Sequence, residues 1–574
     1  MSRQHLLSGL PWLQLAAITL TLLPLLAVAA PDAGSLLQQI ESQSAPLQSA
    51  PSLKTPTVPT PPAAGDAGPL VRINEFRIEG NQLLGTTELQ RALSGFSGRD
   101  LSLTQLQEAA WVIVQTYREA GWLVHAFVPP QEIDRGIVKL KVIEAKLGQL
   151  RVDFPKDAHL PHRLIQAMAD AQLLPGQPVS LNQVDRLVLL LGDMSGVVAS
   201  ASYLEGAQPG TTDVLLRLAE GKKIEARLML DNFGAVSTGS SRLSANLAVN
   251  NATGLGDALA IQAVRTQGST YARAAYSLPV GLQGWRAGFH ASDLSYNLVG
   301  SFAALQASGT AKTWGADLSV PLLRSTERSV SLQLSTDRKT FDNQALAGTE
   351  ISSVSKYQVD VLRTGLNANW FDQWLTPAQN SASVMLSSGS VDLTGSPSAV
   401  GDSNAARTAG HFQKINLGYN REQSLTGQLS TYLQAGAQLA NRNLDSSEKL
   451  YLGGASGVRA YPSNEAGGST GYTFTAGLKH RLDPAWTLNG FADLGRIQVY
   501  RNNVTALGAP ITALNTLPLQ GVGLSVSWQG SQGKELSATW SRRQGANPSA
   551  TTAGDDSDGT RTLNRLWLSA ALNF

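Results

Sequence analysis

Between residues 222 and 574, apolar and polar residues alternate with a period of two in one segment after another. "KIEARLMLDN" sets Ile224, Ala226, Leu228 and Leu230 on one face and Glu225, Arg227, Met229 and Asp231 on the other. "SRLSANLAVNN", "GWRAGFHAS", "YLQAGAQLAN" and "WTLNGFADLG" repeat the pattern. Such alternation marks strands whose two faces meet different surroundings. The connections are of two kinds. Some are tight and carry proline or glycine ("SLPVGLQG", "SVPLLRSTER", "RLDPAW"); others are long and polar ("GANPSATTAGDDSDGT"). Short turns at one end and long loops at the other predict a transmembrane antiparallel β-barrel of about sixteen strands over 222–574. A soluble sandwich or propeller also alternates, but "RLWLSAALNF" puts Leu566, Leu568, Ala570, Leu572 and Phe574 on one face, an apolar outside that suits lipid.

The preceding stretch is compact and mixed. "VRINEFRIEGN" reads as a strand, "TTELQRALSGF" and "TQLQEAAWVIVQTYREAGW" as helices capped at Thr86 and Thr104, and "LVHAFVPPQ" and "GIVKLKVIEAKL" as strands. From Leu147 the order strand, helix, helix, strand, strand recurs. Two small α+β domains are therefore expected, at 71–146 and 147–221.

Residues 1–29 read as an export signal: Arg3, an apolar run from Leu10 to Leu26, and Ala27-Val28-Ala29 for cleavage. Residues 30–45 hold a short helix that either frays or docks downstream, since it is too short to stand alone. Residues 46–70 are a proline-rich tether. No later segment is apolar for long enough to cross a bilayer as a helix, so a mature chain that spans must do so as a barrel.

Composition narrows the function. The chain of 574 residues is 15% charged with net charge +2 and no basic stripe, which gives no reason to expect nucleic acid. It has no cysteine, excluding thiolate chemistry, and its seven histidines are scattered. No phosphate-binding glycine loop, paired-histidine zinc motif or nucleophile elbow is present, so no catalytic residue, metal ligand or cofactor is assigned. "DDSDG" (555–559) misses the EF-hand spacing and reads as a solvated acidic loop. The chemistry points to transport.

Several motifs then carry a resemblance: "GVRAY" (457–461), "GFADLG" (490–495), "YREAGWLVHAFVPPQ" and "DNFGAVSTG…NNATGLGD". With the domain order, they resemble the TpsB translocators of two-partner secretion, the haemolysin secretion/activation proteins of ShlB/FhaC/HecB type. GVRAY is similar to the family's Val-Arg-Gly-Tyr/Phe loop motif and GFADLG to its Gly-Phe-x-Asp-x-Gly strand. Ala460 replaces the family glycine, so the backbone there should avoid positive φ. The resemblance implies two POTRA domains in the periplasm, a plug-like helix at 30–45, and a barrel in the Gram-negative outer membrane with a pore-inserted loop near 441–470.

On "WTLNGFADLG" the parity turns Trp486, Leu488, Gly490, Ala492 and Leu494 to lipid and Asn489, Phe491 and Asp493 to the lumen. A loop folded inward would offer Asp493 the guanidinium of Arg459 in a charge-assisted pair. The residues alone leave open a latch or two ordinary lumen charges. The resemblance favours the latch, with Val458, Tyr461 and Phe491 beside it. It also implies a large exoprotein partner of TpsA type, a β-helical adhesin or haemolysin, exported without ATP. Strand addition at an open POTRA edge would receive it, with Val124, Ala126 and Val128 as candidate contacts; the Leu187–Leu191 helix face is a second candidate segment that reads better as core. Lipid and, through Phe574, the barrel-assembly machinery are the other expected partners. An outer-membrane insertase of the same superfamily and a passive porin are the rival readings; the porin would have no use for 71–221.

Overall fold

The computed structural model describes residues 32–43, 69–156, 158–347 and 350–574. The signal read at 1–29 lies outside them, as does the linker apart from Pro69 and Leu70. Sixteen antiparallel strands, from Ile224–Asp231 to Asn564–Asn573, close into a barrel. The last pairs with the first from Ser569↔Asp231 to Asn573↔Arg227. Closure satisfies the strand edges internally, as a lipid surround requires. Leu228, Leu230, Leu488, Leu494, Leu566, Leu568 and Leu572 stand exposed on the outer face, while Asp231, Phe491, Asp493 and Trp567 are buried inside. An exposed leucine belt of this kind is a lipid-facing surface. No described helix is long and apolar enough to cross a membrane.

Two prolines expected in turns sit inside strands. Pro279 lies one residue from the end of Ser269–Val280, and Pro321 lies in Ser308–Arg324 at a register shift before Leu323. A strand end or a bulge is where the missing N–H is tolerated.

The strand–helix–helix–strand–strand order is present twice before the barrel. The first sheet joins Glu75–Glu79, Ile137–Glu144 and Val124–Phe127; the second joins Lys146–Asp153, Thr211–Glu220 and Val197–Glu205. The first unit adds a small ribbon, Val71–Ile73 with Arg99–Leu101. Neither expected threonine caps its helix. Leu103–Glu119 starts from Ser102, whose side chain accepts from the Gln105 amide while Gln105 accepts from the Ser102 N–H. Thr86 lies within its helix, behind Gly85 at the cap. The reciprocal Ser102–Gln105 pair satisfies two helix-end donors, which a lone Thr104 hydroxyl cannot do.

The units are tied in series. The Leu181 amide donates to the Gly121 carbonyl at 2.9 Å, and the Leu123 amide to Val179 at 3.1 Å. At the barrel's entry face Arg324 grips both oxygens of Asp193, just beyond helix Leu181–Gly192, at 2.8 and 2.9 Å.

The helix Ala33–Gln43 docks inside the lumen. Leu36, Leu37 and Ile40 pack in one cluster with Tyr271, Leu294, Tyr296, Phe341, Tyr357 and Phe412 from the barrel wall. Eleven residues make too short a helix to persist in water. Burying each large apolar side chain contributes about 1.5–3 kcal/mol.

Candidate functional site: a loop held inside the barrel

Residues 441–469 connect strands Leu429–Ala440 and Thr470–Arg481 and fold into the barrel. Strand Trp486–Gln498 presents Phe491, Asp493 and Gly495 on its inner face because they share parity. Arg459 meets Asp493 there. Its Nη2 donates to Oδ1 at 2.6 Å, its Nε to Oδ2 at 2.9 Å and its backbone N–H to Oδ2 at 3.1 Å. Thr475 Oγ1 donates to Oδ1 at 2.8 Å. The Asp493 side chain is 1% exposed, so these donors stand in for the water it has lost. The guanidinium lies over the Phe491 ring, 3.2 Å from its centroid, adding a cation–π contact.

The Arg459 carbonyl is also held. It accepts from Ser541 Oγ at 2.6 Å and Trp567 Nε1 at 2.8 Å. One loop residue thus joins the strand of Asp493 to Lys534–Arg543 and to the closing strand Asn564–Asn573. Sequence reading missed Thr475, Ser541 and Trp567. Trp567 carried a usable signal: an indole N–H on the lumen parity of an otherwise lipid-directed strand needs a partner.

Small residues shape the seat. A Cβ on Gly521 would come within 2.5 Å of the Ala460 Cβ, and one on Gly495 within 3.0 Å of Val458 and 3.1 Å of Leu452. Val458, Ala460 and Tyr461 are buried with Leu452, Ile497, Leu517 and Leu519. Ala460 stays out of the left-handed region, which Asn464 (φ 64) and Ala466 (φ 55) adopt instead. The tight turn therefore follows the motif, and an alanine serves where the family has glycine.

The far side of the loop is roofed. Glu465 accepts from Asn547 Nδ2 at 2.8 Å and from the Ser557 amide at 3.0 Å. "DDSDG" is not a solvated loop: Asp556 is held by Arg543 at 2.6 Å and Arg565 at 2.9 Å, and Asp558 by Arg565 at 2.7 Å. Those arginines stand on the adjoining strands, which the local acidic run did not show. The loop also touches the plug helix, with Asn464 Nδ2 donating to Gln39 Oε1 at 3.0 Å.

The other candidate contacts lie elsewhere. Val124, Ala126 and Val128 turn toward the first unit's core, and Leu187, Leu190 and Leu191 belong to the second unit's core. Strand Val124–Phe127 pairs on one side only, and its outward side chains, His125 and Phe127, stack at 5.3 Å. Substrate contact at this edge would run through backbone and these rings. Among the described residues no group of three or more histidine, aspartate or glutamate side chains is placed to hold a metal.

Residues 210–522 match the family described as haemolysin secretion/activation protein ShlB/FhaC/HecB, and residues 71–145 match the ShlB-type POTRA domain. The heme/hemopexin transporter protein HuxB of Haemophilus influenzae is 26% identical over 522 residues, covering 88% of this chain and 90% of its own. The outer membrane transporter CdiB of Dickeya dadantii is 23% identical, covering 70% of this chain and 71% of its own. The structure of CdiB from Escherichia coli superposes with a TM-score of 0.65 at 19% identity, covering 95% of this chain and all of that one. BamA from Haemophilus ducreyi lacking POTRA domains 1–3 gives 0.53 at 15% identity, covering 88% of this chain and all of that one. The likeness to both structures is one of fold.

Proposed function

The chain belongs to the haemolysin secretion/activation protein family, and from that premise we propose that the Arg459–Asp493 pair latches its pore loop for export of one large exoprotein. Family and fold make it an outer-membrane translocator of two-partner secretion, with its POTRA domains in the periplasm. The observation that carries the latch is the bidentate pair itself, buried on a wall of glycines. An unfolded exoprotein adds to an open POTRA sheet edge such as Val124–Phe127, through backbone and the His125–Phe127 face. It then passes through the lumen as loop and helix shift. No nucleotide-binding motif occurs in the sequence, and folding outside the cell supplies the direction.

The chain's own insertion runs through barrel-assembly machinery that takes up the C-terminal strand. Phe574 supports this, being exposed on the lipid side with its amide bonded to the Ala226 carbonyl at 2.9 Å. Because HuxB is named for heme/hemopexin transport, haem–hemopexin binding is the first activity to assay in the exported partner.

The test is deletion of the gene in its own host, followed by quantitative proteomics of supernatant, cell surface and outer membrane. Loss of one large exported protein with other barrels unchanged is the expected result. A broad fall in barrel proteins would replace this reading with an insertase, and no change in either fraction would leave a porin.

A further inference from the structure

The loop has a second charged foot, far from Arg459 around the ring. Glu448, in the short turn Ser446–Glu448 at the loop's rising end, is 1% exposed and surrounded by cations from three barrel strands. Lys339 Nζ lies 2.9 Å from Oε1, Arg363 Nη2 3.2 Å from Oε1, and Lys414 Nζ 2.8 Å from Oε2. The Glu448 carbonyl accepts from Lys414 Nζ at 2.8 Å and from Gln438 Nε2 at 3.1 Å. Lys339 and Lys414 are themselves buried. Arg363 is shared with Asp337, which also pairs with His290 at 2.8 Å.

We infer that Glu448 is a second anchor of the pore loop, seated in a cage of Lys339, Arg363 and Lys414, and that the loop moves only when this foot is released as well. The inference rests on reading 441–469 as a movable loop. Its physical basis is asymmetric. With Glu448 in place the cations have a buried counter-charge; without it, two buried lysines lose theirs while Arg363 keeps Asp337. An emptied cage must take up water or another anion, so leaving the seat hydrates this wall of the pore. The anchor also bears on the plug. A Cβ on Gly34 of the helix would lie 2.5 Å from Ser446 Oγ and 3.0 Å from the Ser447 amide, so helix and turn are in close contact.

The native chain has no cysteine, which permits a clean reporter. Ser447, fully buried beside Glu448, is changed to cysteine (Ser447→Cys), a near-isosteric swap, in the full-length protein in outer-membrane vesicles. The rate of maleimide labelling is then measured. Adding Glu448→Gln should raise labelling at least about tenfold, the scale of 1.4 kcal/mol or more lost from the seat, with the heat-modifiable barrel unchanged on gels. Adding Lys339→Met and Lys414→Met to Glu448→Gln should restore protection, because the unpaired cations are then gone. An unchanged rate in Glu448→Gln would overturn the inference, as would a triple variant labelled as fast as the single one. Should Glu448→Gln not assemble, Lys339→Met alone should raise labelling severalfold, and no change there would overturn it. Arg459→Ala is the control. If it also leaves labelling unchanged, the movable loop itself fails; if only Glu448→Gln does, the cage alone fails.

Discussion

Two bodies share the lumen, and the dominant hold on each is different. The plug helix rests on an apolar shelf of Tyr271, Leu294, Phe341, Tyr357 and Phe412, reached by Leu36, Leu37 and Ile40. The pore loop rests on a buried ion pair over a wall of glycines. Apolar burial is non-directional and fades gradually as surfaces separate. A buried pair is all-or-none: losing one partner strands the other without water, at about 3–5 kcal/mol. The helix is therefore suited to be a removable stopper and the loop to be a part with one defined seat.

Mutations that act on only one of the two sharpen this contrast. Asp493→Ala leaves Arg459 facing Thr475 and no carboxylate, and about 3–5 kcal/mol of seating should go. Exoprotein in the supernatant, read by immunoblot, should fall by about a hundredfold or more while the folded barrel persists in the outer membrane. Gly521→Val intrudes on Ala460, and overpacking of about 1–3 kcal/mol should lower export roughly tenfold by the same assay. Leu37→Asp places a charge in the apolar shelf and should expel the helix. Conductance in planar bilayers should rise strongly, while export stays within about twofold: among the described residues only the long Glu41–Arg273 ion pair at 3.9 Å goes with the helix, and the Arg459–Asp493 pair is left intact. Thr475→Val removes one of the donors on Asp493, worth about 0.5–1.5 kcal/mol, and should lower export by about threefold.

The same contrast governs how much the sequence disclosed. Strand parity was plain because lipid imposes one sign on every outer face; Leu228, Leu488 and Leu568 could be placed from local alternation alone. Asp493 was legible for the same reason, as a lone carboxylate on an inward parity. The apolar shelf was hidden. Val359, Val361 and Phe412 face inward, where a water-filled barrel should be polar, and they join one buried cluster with the docked helix and with Leu444 of the pore loop. Glu448 escaped because Lys339 and Arg363 lie 109 and 85 positions away, outside any local window. The arginine partners of Asp556 and Asp558 are only 7 to 13 positions away, but they stand on the flanking strands, so the fold of the loop and not the spacing brings the charges together. The cap expected at Thr104 differed for a smaller reason, since Ser102 and Gln105 satisfy each other's amides, and the two prolines sit at a strand end and at a register shift, where a missing N–H is tolerated.

The central claim is that Arg459 and Asp493 act as one device. The direct measurement is a double-mutant cycle on channel-opening probability in planar bilayers, comparing the parent with Arg459→Ala, Asp493→Ala and the double variant. A single device predicts that the double variant opens no more often than either single one, with a coupling close to the full effect of one substitution. Effects that multiply independently would contradict it and return both residues to the ordinary charges of a water-filled pore.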